Sequence, residues 1–229
     1  MSPLSDNLEL LTPEFALAGL AFLVFALDLF LPEGKKRLLA FVSIVGLVAV
    51  VVVSLVMLWD EEESLYNGLI AVDAFALFFK VFFLGMGIAI ILMSMDFVET
   101  RLKHQGEFYG LLLFSILGMN VMAQSRELLT AYIALELLTF SLYVLAAYAK
   151  DSDKSNESAL KYIIVGAVSS AILLYGVSMV YSTLGVTKFD DIAIGLAQAT
   201  NVSPALWVGV GLILVGLMFK ISAVPFHMW

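Results

Sequence analysis

Seven runs of almost uninterrupted apolar sequence, each parted from the next by a short polar segment, limit this chain to very few folds. They fall at about 13–31, 38–58, 72–95, 107–124, 128–149, 158–184 and 205–222 onward. Crossing about 30 Å of hydrocarbon takes roughly 20 helical residues, and each run meets or approaches that length. The runs are continuously apolar rather than alternating, and an open sheet edge has no partner for its amides in lipid. The sequence therefore predicts an all-α, polytopic membrane protein with about seven transmembrane helices. At 62% hydrophobic and 14% charged residues, the chain lacks the roughly 25% charge of a sizeable soluble domain. It has no cysteine, which excludes thiolate-held iron–sulfur clusters, thiolate zinc sites and disulfides. Bis-histidine haem ligation would need both histidines, His104 and His227, and they lie on separate segments. The opening MSPLSDNLELLTPEF lacks the basic region of a cleaved signal peptide, so the first span is expected to stay as an anchor.

Lysine and arginine in the short loops give the orientation. With the N-terminus outside, the inner loops hold Lys35, Lys36, Arg37, Arg101, Lys103, Lys150 and Lys154, and the outer loops hold Arg126 and Lys188 beside the acidic run Asp60–Glu63. This asymmetry predicts an N-terminus outside. Ser155 or Asn156 in the loop 150–157 is expected to cap the sixth span. Pro204 suits the first turn of the seventh.

Several ionisable residues interrupt the apolar runs. Glu136 lies near the middle of LLTAYIALELLTFSLYVLAAYA, where a charge costs roughly 2.5–3.5 kcal/mol on insertion scales. It is read as a protonatable relay group or counter-ion, against the plainer reading of a buried acid gluing two helices. Lys220 lies fifteen residues past Ala205, about 22 Å along a helix. Pro225 removes the amide that would bond Ile221, so the helix is expected to break near it. Broken helices at membrane depth line cavities or bind ions, so Lys220 is read as functional, against a lysine snorkelling to the inner face. Lys161 follows Glu157 by four residues, which suits an i, i+4 pair at the interface as well as a middle station of a relay. Lys80 is the weaker candidate, its stem long enough to reach the outer interface. His227, just past Pro225, is either a proton shuttle or a satisfied polar residue. A Glu–Lys pair at about 4 Å and an effective dielectric near 20 is worth roughly 4 kcal/mol. A helix movement that opens such a pair would gate proton transfer, provided Glu136 and Lys220 come within reach of one another.

The strings ELLTAYIALELLTFSLYVLAAY around Glu136, ESALKYIIVGAVSSAILLYG around Lys161, FKISAVPFHMW around Lys220 and AVDAFALFFK ending at Lys80 resemble a known family. It is that of the antiporter-like membrane subunits of respiratory complex I, NADH:quinone oxidoreductase, and the ALKY string is most similar to the subunit N branch. The resemblance implies a proton-translocating membrane subunit in which Glu136 and Lys220 are the channel pair and Lys161 belongs to the same path. It implies no cofactor in this chain. NADH, FMN, iron–sulfur clusters and quinone would sit in partner subunits. The implied partners are the other complex I membrane subunits, both antiporter-like paralogues and small helical subunits, and the lipid bilayer, with no nucleic acid. The implied location is a bacterial inner (plasma) membrane. Such subunits have about fourteen helices in two inverted repeats of about five. On that scheme residues 1–106 are three leading transmembrane helices and 107–229 are most of the first repeat, truncated at the break in the seventh helix. The chain is then an N-terminal portion, not expected to pump alone. A stand-alone or multisubunit cation/proton antiporter component is the alternative, and a purely structural membrane subunit a third reading.

Overall fold

The computed structural model describes residues 8–102, 104–198 and 203–227. Lys103 and the last two residues of the FKISAVPFHMW string lie outside the described residues. The elements are α1 (Thr12–Phe30), α2 (Arg37–Met57), β1 (Glu63–Leu65), β2 (Ile70–Val72), α3 (Ala74–Arg101), α4 (Gln105–Gln124), α5 (Leu128–Ala146), α6 (Asp153–Leu184), α7 (Phe189–Gln198) and α8 (Pro204–Lys220). Six of these helices, α1 to α6, are long and apolar enough to cross a membrane, and α8 is a shorter apolar helix.

Local chemistry fixes the helix starts. Asp73 caps α3 by accepting from the Ala76 amide at 2.7 Å, and Ser203 caps α8 ahead of Pro204. The sixth span begins five residues earlier than its apolar pattern indicates, and its cap is Ser152, not Ser155 or Asn156. Those two side chains bond elsewhere: Ser155 donates to the Ala146 carbonyl and Asn156 to the Lys150 carbonyl. At its other end α6 stops at Gly185, whose φ of +71° suits a residue without a Cβ.

Helices α1 to α4 share one apolar core. Leu17, Ala21 and Val24 of α1 meet Leu39 and Leu47 of α2, Leu84 and Ile91 of α3, and Leu113 and Ile116 of α4. A second group forms where Leu135 of α5 packs with Leu173 and Val177 of α6 and with Ile213 of α8. Small residues let backbones touch, as expected where lipid removes the hydrophobic drive between helices. A Cβ added to Gly118 of α4 would lie 2.7 Å from the Leu138 amide of α5, and one on Gly176 of α6 would lie 2.7 Å from the Gly209 carbonyl of α8.

One end of the bundle carries structure that the apolar pattern does not predict. β1 and β2 form an antiparallel hairpin, and β2 pairs on through Ile70 with Ser125. Glu127 pairs in turn with Lys188, and the Arg126 amide donates to the Leu69 carbonyl. This strap links the α3, α4–α5 and α6–α7 junctions, and an ion pair between Arg126 and Asp73 (2.5 Å) reinforces it. The strands lie outside the spans, so the membrane part stays all-helical. The loop 185–204 also contains the amphipathic helix α7, whose residues are all at least partly exposed.

Candidate functional site

Three helices assemble the site around Glu136. Side chains at 136, 139 and 143 share one face of α5, since three and four residues are about one helical turn. α6 supplies Ser170, and α8 delivers Lys220 as its last helical residue. Beyond Lys220 the chain turns through Ile221 and Ser222, the latter at φ +55°. The helix therefore ends five residues before Pro225 instead of running on to it. Proline has no amide with which to bond the Ile221 carbonyl, so no helical turn can close between them.

The Lys220 ammonium lies 3.6 Å from Glu136 Oε1, with only 11% and 14% of the two side chains exposed. Hydroxyls complete the link. Lys220 Nζ donates to Thr139 Oγ1 at 2.9 Å and to Ser170 Oγ at 3.3 Å, while Ser170 Oγ donates to Glu136 Oε1 at 2.6 Å. Thr139 spends its own hydrogen on the Leu135 carbonyl (2.6 Å), which leaves its lone pairs for the ammonium. Ser169 ties α6 to α8 by donating to the Gly216 carbonyl at 3.0 Å. One turn along α5, Tyr143 meets Tyr162 edge-to-face with ring centres 4.6 Å apart, and Tyr162 lies against Phe219. The result is a nearly dry acid–amine pair joined through a hydroxyl that both accepts and donates.

Glu136 and Lys220 thus meet, well inside the separation a relay requires. Lys161 and Glu157 form their i, i+4 pair at 2.5 Å with most of both side chains exposed. Lys161 precedes Ser170 by nine residues, which puts it half a helical turn round, on the opposite face of α6. His227 is exposed past the helix break. The structure brings none of these three to the Glu136–Lys220 pair. Lys80 does not reach the outer interface: its side chain is 1% exposed and its ammonium is 2.6 Å from Glu14 Oε1. Gln124 Nε2 donates to the same oxygen, also at 2.6 Å. Glu14, Gln124, Thr139 and Ser170 escape a reading of the sequence. Hydroxyls in spans ordinarily bond their own backbone, and Glu14 looks like an ordinary first-turn acid after Pro13.

Outside the spans, two titratable groups are tuned by the bundle ends. Burial opposes ionisation of Glu127, but hydrogen bonds from Thr187 and Thr130 more than offset it and hold this α5-capping carboxyl below the usual glutamate range. At the other end, burial and then the nearby Glu107 push the Tyr148 hydroxyl above its usual range, while it donates to the His104 carbonyl at 2.5 Å.

An apolar helical bundle whose buried acid and amine meet at the end of an interrupted helix defines an antiporter-like membrane fold. Residues 125–229 match the family described as NADH:quinone oxidoreductase/Mrp antiporter, TM. The protein named NADH-quinone oxidoreductase subunit N from Moorella thermoacetica is 42% identical over 97% of this chain and 46% of its own length. Its namesake from Geobacillus sp. strain WCH70 is 39% identical over 96% of this chain and 46% of its own length. A chain of respiratory complex I from Thermus thermophilus, solved with bound aureothin, superposes with a TM-score of 0.75 at 29% identity, covering 95% of this chain and 46% of that one. Residues 125–229 thus match the NADH:quinone oxidoreductase/Mrp antiporter family, and nearly the whole chain is similar to proteins named subunit N. The chain spans about half the length of the relatives it matches.

Proposed function

We propose that this chain is part of a proton-translocating membrane subunit of a complex I type NADH:quinone oxidoreductase, working as a translocase without redox chemistry of its own. The observation that supports it is the Lys220–Ser170–Glu136 chain of contacts. A proton leaving Lys220 Nζ enters Ser170 Oγ as the serine's own hydrogen passes to Glu136 Oε1, so one N–H and one O–H bond break and two O–H bonds form. Both ends finish neutral, a favourable state in a dry site. Separating α8 from α5 would then block the return. The relatives' names support partners that carry NADH and quinone chemistry, including other membrane subunits. FMN, iron–sulfur clusters and quinone belong to those partners in this reading. The bacterial sources of the relatives support a plasma membrane location, and the loop lysines and arginines support an N-terminus outside. Lys161, Glu157 and His227 are assigned to the approach to the pair, on faces available to the rest of the subunit.

The test is Lys220→Met against Lys220→Arg in the full-length subunit, assembled in its complex and placed in vesicles. Lys220→Met should lower quinone reduction and pumping together by roughly a hundredfold or more, while Lys220→Arg spares more of both. Wild-type rates in both variants would overturn the relay. The family description also covers Mrp antiporters. Sodium-dependent proton exchange in vesicles without an electron donor would favour that second reading.

A further inference from the structure

We propose that Glu14, Lys80 and Gln124 form a second protonatable site, separate from the Glu136–Lys220 pair. It would exchange a proton with the end of the bundle that carries Asp73 and Arg126.

The site is built on α1, α3 and α4. Lys80 Nζ and Gln124 Nε2 both lie 2.6 Å from Glu14 Oε1, and the side chains of Lys80 and Glu14 are 1% and 9% exposed. Its hydrogen bonding is left unfinished. Glu14 Oε2, Gln124 Oε1 and Asn120 Oδ1 are buried with no hydrogen-bond partner among the described residues. Lys80 has three hydrogens to give and one polar partner among the described residues, Glu14. A buried ion pair that serves only structure is favourable when its remaining lone pairs and hydrogens are satisfied. This one leaves a lone carboxylate oxygen and two amide oxygens that need hydrogens. A proton on Glu14 Oε2 is accommodated without disturbing either contact at Oε1. In the internal step a Lys80 Nζ–H bond breaks and a Glu14 Oε1–H bond forms, both groups becoming neutral, whereas a proton arriving from the aqueous end is taken at Oε2.

The surroundings give the site an occluded side and an exit. Leu11, three residues before Glu14, packs with Leu58, Leu65 and Val72 in an apolar cap at this end, joined by Leu77, one turn from Lys80. Beside that cap, Asp73 lies seven residues before Lys80 on the same face of α3, two turns or about 10 Å away. Its partner Arg126 follows Gln124 by two residues and is half exposed. Charged and polar groups therefore step from the aqueous end down to Glu14. Tyr66, Glu9, the acidic run Asp60–Glu63, Glu127 and Lys188 are further titratable groups at this end. Asp28 of α1, Asp96, Glu99 and Arg101 of α3, and Glu107 and Tyr109 of α4 lie toward the opposite ends of their helices. α2 carries no titratable group past Arg37.

The role of this site in translocation rests on the function proposed above, whereas its titration does not. Infrared difference spectra of the full-length protein in its assembled complex, recorded across pH, should contain a buried-carboxyl band that is lost in the double variant Glu14→Gln/Lys80→Met. The double change removes both charges and strands neither, so the protein is expected to fold. Lys80→Arg should keep the band but move its midpoint, which a merely space-filling role would not do. Superimposable titrations of wild type and the double variant would overturn the proposal. Glu136→Gln should remove a different band. If Glu136→Gln leaves pumping at the wild-type rate while the Glu14 band persists, the relay reading fails and the second site stands.

Discussion

Ser170 is the residue on which the geometry of the site turns. Without its hydroxyl, Lys220 and Glu136 would still face each other at 3.6 Å, but that is beyond direct hydrogen-bond range. Ser170→Ala should therefore leave the ion pair and the fold in place and slow coupled proton transfer by about tenfold or more. Ser170→Thr, which restores a hydroxyl, should recover most of the rate; pumping assays on the three proteins decide the matter. The charged members of the site were legible in the sequence because a carboxylate or ammonium in an apolar run has a large cost that demands a reason. The hydroxyls were not, since serine and threonine are inexpensive in a helix and Ser43 and Ser54 of α2 merely bond the carbonyl four residues back. Glu14 was hidden by its place near a helix start, where acids are commonplace. The clue that points to it is Lys80, a lysine in a span with no acid within one helical turn on either side.

At the level of elements, most of the seven apolar helices could be read to within a few residues, because continuous apolar sequence and a fixed bilayer thickness leave little freedom, but α3 runs six residues past 95 through the polar turns DFVETR. The hairpin and α7 could not. Strands of three residues carry no periodicity to detect, and FDDIAIGLAQ is too short and acidic to stand out from a polar loop. The start of α6 was misplaced because its first turns are polar and capped by Ser152 ahead of the apolar run. Helix contacts made through glycine yield a sharp expectation. A Cβ at Gly176 would press on the Gly209 carbonyl and the Ile213 amide at 2.7 Å, both backbone atoms that cannot swing aside. Gly176→Val should destabilise the α6–α8 contact by about 1–3 kcal/mol, seen as a lower midpoint of thermal unfolding in lipid or detergent. Gly211→Ala, with nothing within 4 Å of the added carbon, should leave the midpoint unchanged or raise it.

For the whole molecule, the two ends of the bundle are chemically distinct, and their orientation is open to direct measurement because the chain has no cysteine of its own. Single cysteines at Glu61 and Asp190 should react with an impermeant maleimide on intact cells if the N-terminus is outside. Cysteines at Lys35 and Lys154 should react only after the membrane is opened. The reverse pattern would invert the topology. The strap at the Glu61 end has a mechanical consequence. Pairing of Ile70 with Ser125 and of Glu127 with Lys188 clamps the beginnings of α5 and α7 and the end of α4 to the hairpin. Among the described residues, α8 takes no part in that clamp. It is held against α6 by glycine contacts and by the bond from Ser169 to the Gly216 carbonyl. The site therefore straddles a seam: α5, carrying Glu136, is tied to the clamp, while α6 and α8, carrying Ser170 and Lys220, are tied to each other.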